Sequence, residues 1–259
     1  MLTKELITID KSRLREFLLR LERILPVTAP YSYEEYLCYA LRLALTSLEE
    51  ENYGIGAVIV FRTEGTEYVI GGRSQVFSRK DSRLHAERDA LQKFEALAQS
   101  ADIFQHRMAV GDISPSDIML TRKAPDLATH AFLVTTLETC AACYQEILVH
   151  NTFGVKIAEI CTGADHANSG NGHYLRSEML PPLWRQMAEE QNISIFTLWH
   201  SQLYELSLDI FNALPRLHKK YLGKNAQEIG DTIINIERLL GNGDKSQQNR
   251  HTASSIGKN

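Results

Sequence analysis

No stretch of this sequence is apolar for long enough to cross a bilayer, and its opening, MLTKELITIDKSRLREF, lacks the apolar core and small-residue cleavage site of a secretory signal. These absences argue against a membrane-spanning helix and make the expected location cytoplasmic. Cysteine is scarce as well: four in 259 residues are too few for a disulfide-stapled scaffold. Neither charge dominates, since 28 Lys and Arg face 32 Asp and Glu for a net charge of -4. The chain therefore exerts no global attraction on a polyanion, which counts against a nucleic-acid partner while leaving a local patch open. There is no internal repeat. What is present is 44% hydrophobic residues, enough to bury a substantial core in one domain with or without helical additions.

The apolar residues change period along the chain. Leu14, Phe17, Leu18, Leu21, Ile24 and Leu25 recur at helical spacing and Pro26 closes the segment, so an amphipathic leading helix is expected. A second helix is expected from about Tyr33 to Glu50. Then GAVIVF (Gly56 to Phe61), a polar Thr63-Glu64-Gly65-Thr66 and Tyr68 to Ile70 read as a β-hairpin. Leu84 to Leu97 carries a helical stripe of Ala90, Leu91, Phe94 and Leu97, with His85 and Glu87 at its start. From Gln99 to His130 the pattern is mixed and reads as an irregular excursion with room for a short strand or helix. Ala131 to Thr136, Cys140 to His150 and Val155 to Cys161 form a strand, helix, strand unit; Pro181 to Glu190 reads helical and Ile193 to Leu198 as a further strand. Such alternation implies an α/β layer architecture. Leu203 to Leu214 and Ala226 to Leu240 read as two more helices, and the polar closing segment GNGDKSQQNRHTASSIGKN as disordered.

Two of the cysteines form a C-x-x-C pair, Cys140 and Cys143, at an expected helix start, where both sulfurs project from nearly one face. Alone, this pair fits a redox dithiol, a structural zinc or chance. His85, in the opening turn of the other helix, changes the balance, because two helix starts can converge on one metal while a fourth protein ligand is not evident nearby. Imidazole and two thiolates suit Zn2+, and three protein ligands leave a position open for water, whose pKa zinc lowers toward ~7. Glu87, two residues beyond His85, is placed to move that water's proton. Cys38 and Cys161 sit among apolar neighbours and read as small core residues.

HAE at His85 to Glu87 and TCAAC at Thr139 to Cys143 resemble the two halves of the H-x-E and P-C-x-x-C signature of the zinc-dependent cytidine and deoxycytidylate deaminase superfamily. The surrounding GIGAVIV and LETCAACYQEILVHNTFGVKIAEICTGAD are similar to the branch with guanine, cytosine and tRNA-adenosine deaminases, over roughly Glu35 to Leu198. With the helical and polar patterns outside it, the chain is expected to divide into a helical extension (1–30), a zinc deaminase domain (31–200), C-terminal helices (201–241) and a disordered tail (242–259), so that extra N- and C-terminal helices flank the core. The resemblance implies for that core a three-layer α/β/α sandwich around a mixed sheet. It implies Zn2+ on His85, Cys140 and Cys143, Glu87 as the catalytic proton shuttle, and substrate contacts at Ser74, Ala86 and Asp165. It also implies a homo-oligomer and a small nucleobase-type substrate. Two departures stand out: Thr139 replaces the usual proline, with a hydroxyl able to cap the helix, and Ser74 falls where that branch commonly has asparagine. The stretch between Glu87 and Cys140 is also expanded relative to compact members, as an insertion that can build a lid or an oligomer contact.

Other residues carry two readings each. His166 and His173 belong either to a polar turn-rich loop or to the pocket. Arg79, Lys80, Arg83 and Arg88 meet a substrate phosphate or form a solvated basic stretch. Trp184, Phe196 and Trp199 pack in the core or stack on a base. Arg216, Lys219, Lys220 and Lys224 make a solvated cluster or touch RNA. Three functions follow: a hydrolytic deaminase of a free base, nucleoside or nucleotide, releasing ammonia; a deaminase of a base in RNA; and a non-catalytic deaminase-fold partner or binding subunit.

Overall fold

Local signals at the helix starts account for the first elements. Asp10 accepts from the Ser12 amide at 2.9 Å and caps α1 (Lys11–Ile24), which buries only Phe17 and Leu21 of its apolar stripe; Leu18 stays exposed. A 3-10 turn over Leu25–Val27 contains Pro26 and ends the segment. Ser32 caps α2 (Tyr33–Glu49) by accepting from the Glu35 amide at 3.2 Å, while the Glu35 carboxylate accepts from the Tyr31 amide. The computed structural model describes residues 9–99, 118–165, 182–199 and 201–213. The proposed helix over 226–240, the closing segment, His166, His173 and the basic run at 216–224 lie outside these residues.

Strands β1 (Gly56–Thr63) and β2 (Thr66–Arg73) form the expected hairpin, closed by Glu64 and Gly65, both at positive φ, as a two-residue turn matched to strand twist requires. Within the excursion the structure shows β3 (Ile118–Lys123), antiparallel to β2. On the other side of β1, β4 (His130–Thr135) runs antiparallel to it, and β5 (Ile157–Thr162) and β6 (Ser194–Thr197) follow in parallel. The result is a mixed six-stranded sheet in the order β3-β2-β1-β4-β5-β6.

Period-two alternation sorts the side chains between the two faces. Ala57, Ile59, Phe61, Ala131, Leu133 and Ile160 join α3 (Ala86–Gln99) and α4 (Ala141–Phe153) in one cluster, against which Trp184, Met187 and Ala188 of α5 (Pro182–Gln191) pack. On the opposite face Phe132 meets the Tyr36 ring of α2 edge-on at 5.4 Å, and α1 and α6 (Gln202–Phe211) lie against α2. Arg20 of α1 and Asp209 of α6 are joined at 2.6 Å. The chain is thus a three-layer α/β/α sandwich with additional helices at its N- and C-terminal sides. No helix among the described residues is long and apolar enough to cross a membrane.

Candidate metal centre

Two helix starts on the same side of the sheet carry the site. His85 immediately precedes α3, and its carbonyl accepts from the Asp89 amide at 3.0 Å, which starts the helix. The first turn lies directly on β2 because Gly72 has no side chain: a Cβ there would meet the Ala86 carbonyl at 2.2 Å and the Ala90 nitrogen at 2.3 Å. Cys140 caps α4 with its sulfur, which accepts from the Cys143 amide at 3.4 Å. The Thr139 hydroxyl, though able to cap a helix, does not take this place. The helix begins one residue later than a Thr139 cap requires, and the Thr139 hydroxyl is buried with no hydrogen-bond partner among the described residues.

The convergence is close. Nδ1 of His85 lies 3.5 Å from Cys140 Sγ and 3.4 Å from Cys143 Sγ, and the two sulfurs are 3.2 Å apart. All four cysteines are free, and a disulfide would bring the sulfurs to about 2.0 Å. His85 and Cys140 are partly buried and Cys143 is buried. The Cys140 thiol is held far below its ordinary range because Cys143 sits beside it as a proton donor, with His85 adding to this against the cost of burial. Correspondingly the hydrogen bond to Cys140 raises His85 despite burial, and Cys143 is pushed up. Glu87, 5% exposed, is raised to about 7, first by burial and then by the negative charge of Cys140.

The two helices are clasped at both ends. Arg88 donates from Nε to Glu146 Oε2 at 2.6 Å and makes a second bond to Oε1, and Glu95 lies 3.0 Å from His150 Nδ1. Arg88 therefore pairs across the helices, whereas Arg83 is exposed and bridged to Asp81 in its own loop. That loop is fixed by Asn52, fully buried, whose Oδ1 accepts from the Phe77 and Ser78 amides and whose Nδ2 donates to Ser78 Oγ.

The family model of the cytidine and deoxycytidylate deaminase zinc-binding region matches residues 30–159. The chain belongs to this family. Among solved structures, a guanine deaminase from Nitrosomonas europaea is 18% identical, with 71% of this chain and 86% of that chain covered at a TM-score of 0.43. A structure from work on A-to-I editing by tRNA:A34 deaminases is 18% identical, covering 62% and 95% at 0.37. The dCMP deaminase of cyanophage S-TIM5 is 13% identical, covering 66% and 100% at 0.34. No curated protein matches the chain.

The donors of the site fit Zn2+. Zinc with bonds of about 2.3 Å to sulfur and 2.0 Å to nitrogen sets tetrahedral edges near 3.8 Å between sulfurs and about 3.5 Å between sulfur and nitrogen. The nitrogen–sulfur separations of 3.5 and 3.4 Å agree, and the sulfur–sulfur separation of 3.2 Å is shorter. Of the expected substrate contacts, Ala86 is fully buried in the first turn of α3. Ser74 is buried just beyond β2, its amide bonded to Ile55 and its carbonyl accepting from Ser47 Oγ. Asp165 is buried beyond β5 and accepts from Thr197 Oγ1 at 2.9 Å. Trp184 and Phe196 are partly buried, Trp184 against the core and Phe196 edge-on to Tyr33 at 4.8 Å. Trp199 departs from the core reading: it is 46% exposed and stacks on Tyr204. The sequence reading missed Gly72, whose signal was a glycine inside a strand pattern, and the Arg88–Glu146 clasp, whose partners are 58 residues apart.

Proposed function

We propose that the chain is a zinc-dependent hydrolytic deaminase of a free nucleobase, nucleoside or nucleotide. The observation that carries this reading is the convergence of His85 Nδ1, Cys140 Sγ and Cys143 Sγ within 3.5 Å, with the buried Glu87 carboxyl two residues from His85. His85, Cys140 and Cys143 would hold the metal. Bound there, zinc supplies an open coordination position and a nucleophile at neutral pH.

The remaining work falls to the protein. Glu87 takes a proton on its carboxylate from the attacking water and delivers it to the ring nitrogen beside the amine-bearing carbon. The water's second proton passes from the new hydroxyl through Glu87 to the amine, the carbon–nitrogen bond breaks, and ammonia leaves while the carbon keeps the oxygen as a carbonyl. The burial of the Glu87 carboxyl two residues from His85 supports this role in accepting and returning a proton. Burial of Glu87, and of Ala86 beside it, excludes bulk water from this exchange. The Arg88–Glu146 and Glu95–His150 clasps keep the two helix starts in register, so that the donors meet without rearrangement.

The net charge of -4 supports a small substrate over an RNA strand. The test is ammonia release from a panel of bases, nucleosides and nucleotides by zinc-loaded protein, with RNA retention at low salt measured in parallel. Activity on a panel member supports the reading. Release from RNA alone, accompanied by salt-sensitive retention, moves it to the RNA-base deaminase, and zinc binding without any release moves it to the non-catalytic subunit.

A further inference from the structure

Thr139 is fully buried, yet its Oγ1 has no hydrogen-bond partner among the described residues. Leaving a buried hydroxyl unpaired destabilises the fold, and valine, its shape equivalent, would avoid that cost. The position stands at the β4–α4 corner, at the carboxyl end of a strand that continues into the parallel run β4-β5-β6, where open α/β sheets bind their ligands. Its neighbour in the chain is Cys140, the cap of α4 and one of the three donors. Other polar groups on this rim are engaged with one another. Thr197 donates to Asp165 Oδ1 at 2.9 Å, which leaves its oxygen to accept from Thr162 at 2.8 Å.

We propose that Thr139 is a specificity-determining residue whose hydroxyl hydrogen-bonds the polar edge of the bound ring, a carbonyl or ring N–H beside the amine-bearing carbon. This rests on the deaminase function proposed above. A hydroxyl can donate to the one and accept from the other, so it selects a substrate with a polar group at that position over one with C–H there. Because Cys140 itself caps α4, the hydroxyl is not needed to start the helix.

The test uses Thr139→Val and Thr139→Ser in the full chain, measuring zinc content, thermal midpoint without ligand, and kcat/KM for ammonia release across the panel. Thr139→Val is expected to bind zinc as the parent does and to melt at a higher temperature without ligand. It should lose about tenfold in kcat/KM on the preferred substrate, the scale of one neutral hydrogen bond. Thr139→Ser should recover most of that loss. A valine variant with undiminished kcat/KM, or one that melts lower without ligand, overturns the inference while the deaminase function stands. A parent that releases ammonia from no panel member overturns both.

Discussion

At the residue scale, the donors are held by local geometry and then bound together by charge. Cys140 is both helix cap and candidate metal ligand, so its sulfur is aimed by the backbone turn that it closes. Cys143 follows one turn later on the same face. Removing one of the three donors should therefore abolish tight zinc binding while leaving the sheet intact. We expect Cys143→Ala to emerge without stoichiometric zinc by metal analysis, with a lowered thermal midpoint that added zinc no longer raises. Retention of one zinc per chain by this variant would remove Cys143 from the ligand set. The candidate residues were legible in the sequence because each pair is local, His85 with Glu87 and Cys140 with Cys143, and the fold brings His85 and the two cysteines together. That Cys140 rather than Thr139 takes the cap was not legible, because only the path of the β4–α4 corner decides between them.

At the scale of elements, the site depends on how closely helices approach the sheet. Gly72 and Gly56 make the same kind of contact on opposite faces: a Cβ on Gly72 meets the Ala86 carbonyl at 2.2 Å, and one on Gly56 meets the Ala40 carbonyl at 2.0 Å. Alanine at either position should destabilise by about 1–3 kcal/mol, the usual cost of overpacking. The consequences for the metal should differ. Gly72→Ala displaces the turn that carries His85 and should weaken zinc binding at least about tenfold, since donor placement tolerates shifts of only ~0.5 Å. Gly56→Ala moves α2 on the far face and should leave zinc affinity near that of the parent. Equal zinc affinities in competition with a chelator would show that the β2–α3 contact does not set the donor geometry. The hairpin, α2 and the β4–α4–β5 unit followed from periodicity alone. Strand β3 did not, because its alternation is weak and its place at the sheet edge is fixed by pairing with β2.

At the scale of the whole molecule, that edge is secured by a charge network spanning α2, β1, β2 and β3. Glu67, fully buried, accepts from Arg62 Nε, Arg122 Nε and Tyr36 OH, each at 2.7 Å, and Arg122 also grips both oxygens of Glu35 while lying 3.9 Å from the Tyr31 ring centroid. No sequence period reveals such a network, since its members come from four separate elements. Burial alone would raise the Glu35 carboxyl, but the Arg122 guanidinium and the Tyr31 amide together hold it below its ordinary value. A depressed carboxylate stabilises the fold above its unfolded-state pKa, and that contribution is lost as pH falls through the folded value. Glu35→Gln should thus be less stable than the parent at neutral pH, with the two denaturation curves converging in acid. Parallel curves from neutral pH down to about pH 3 would place the acid sensitivity elsewhere. Beyond stability, the deaminase proposal is tested most directly by ammonia release from zinc-loaded parent and Glu87→Ala protein over the same panel of bases, nucleosides and nucleotides. The predicted result is equal zinc content in both, release by the parent, and a loss of at least about a hundredfold in the variant, the lower bound for a general acid–base group. Equal release by variant and parent would contradict the proposal.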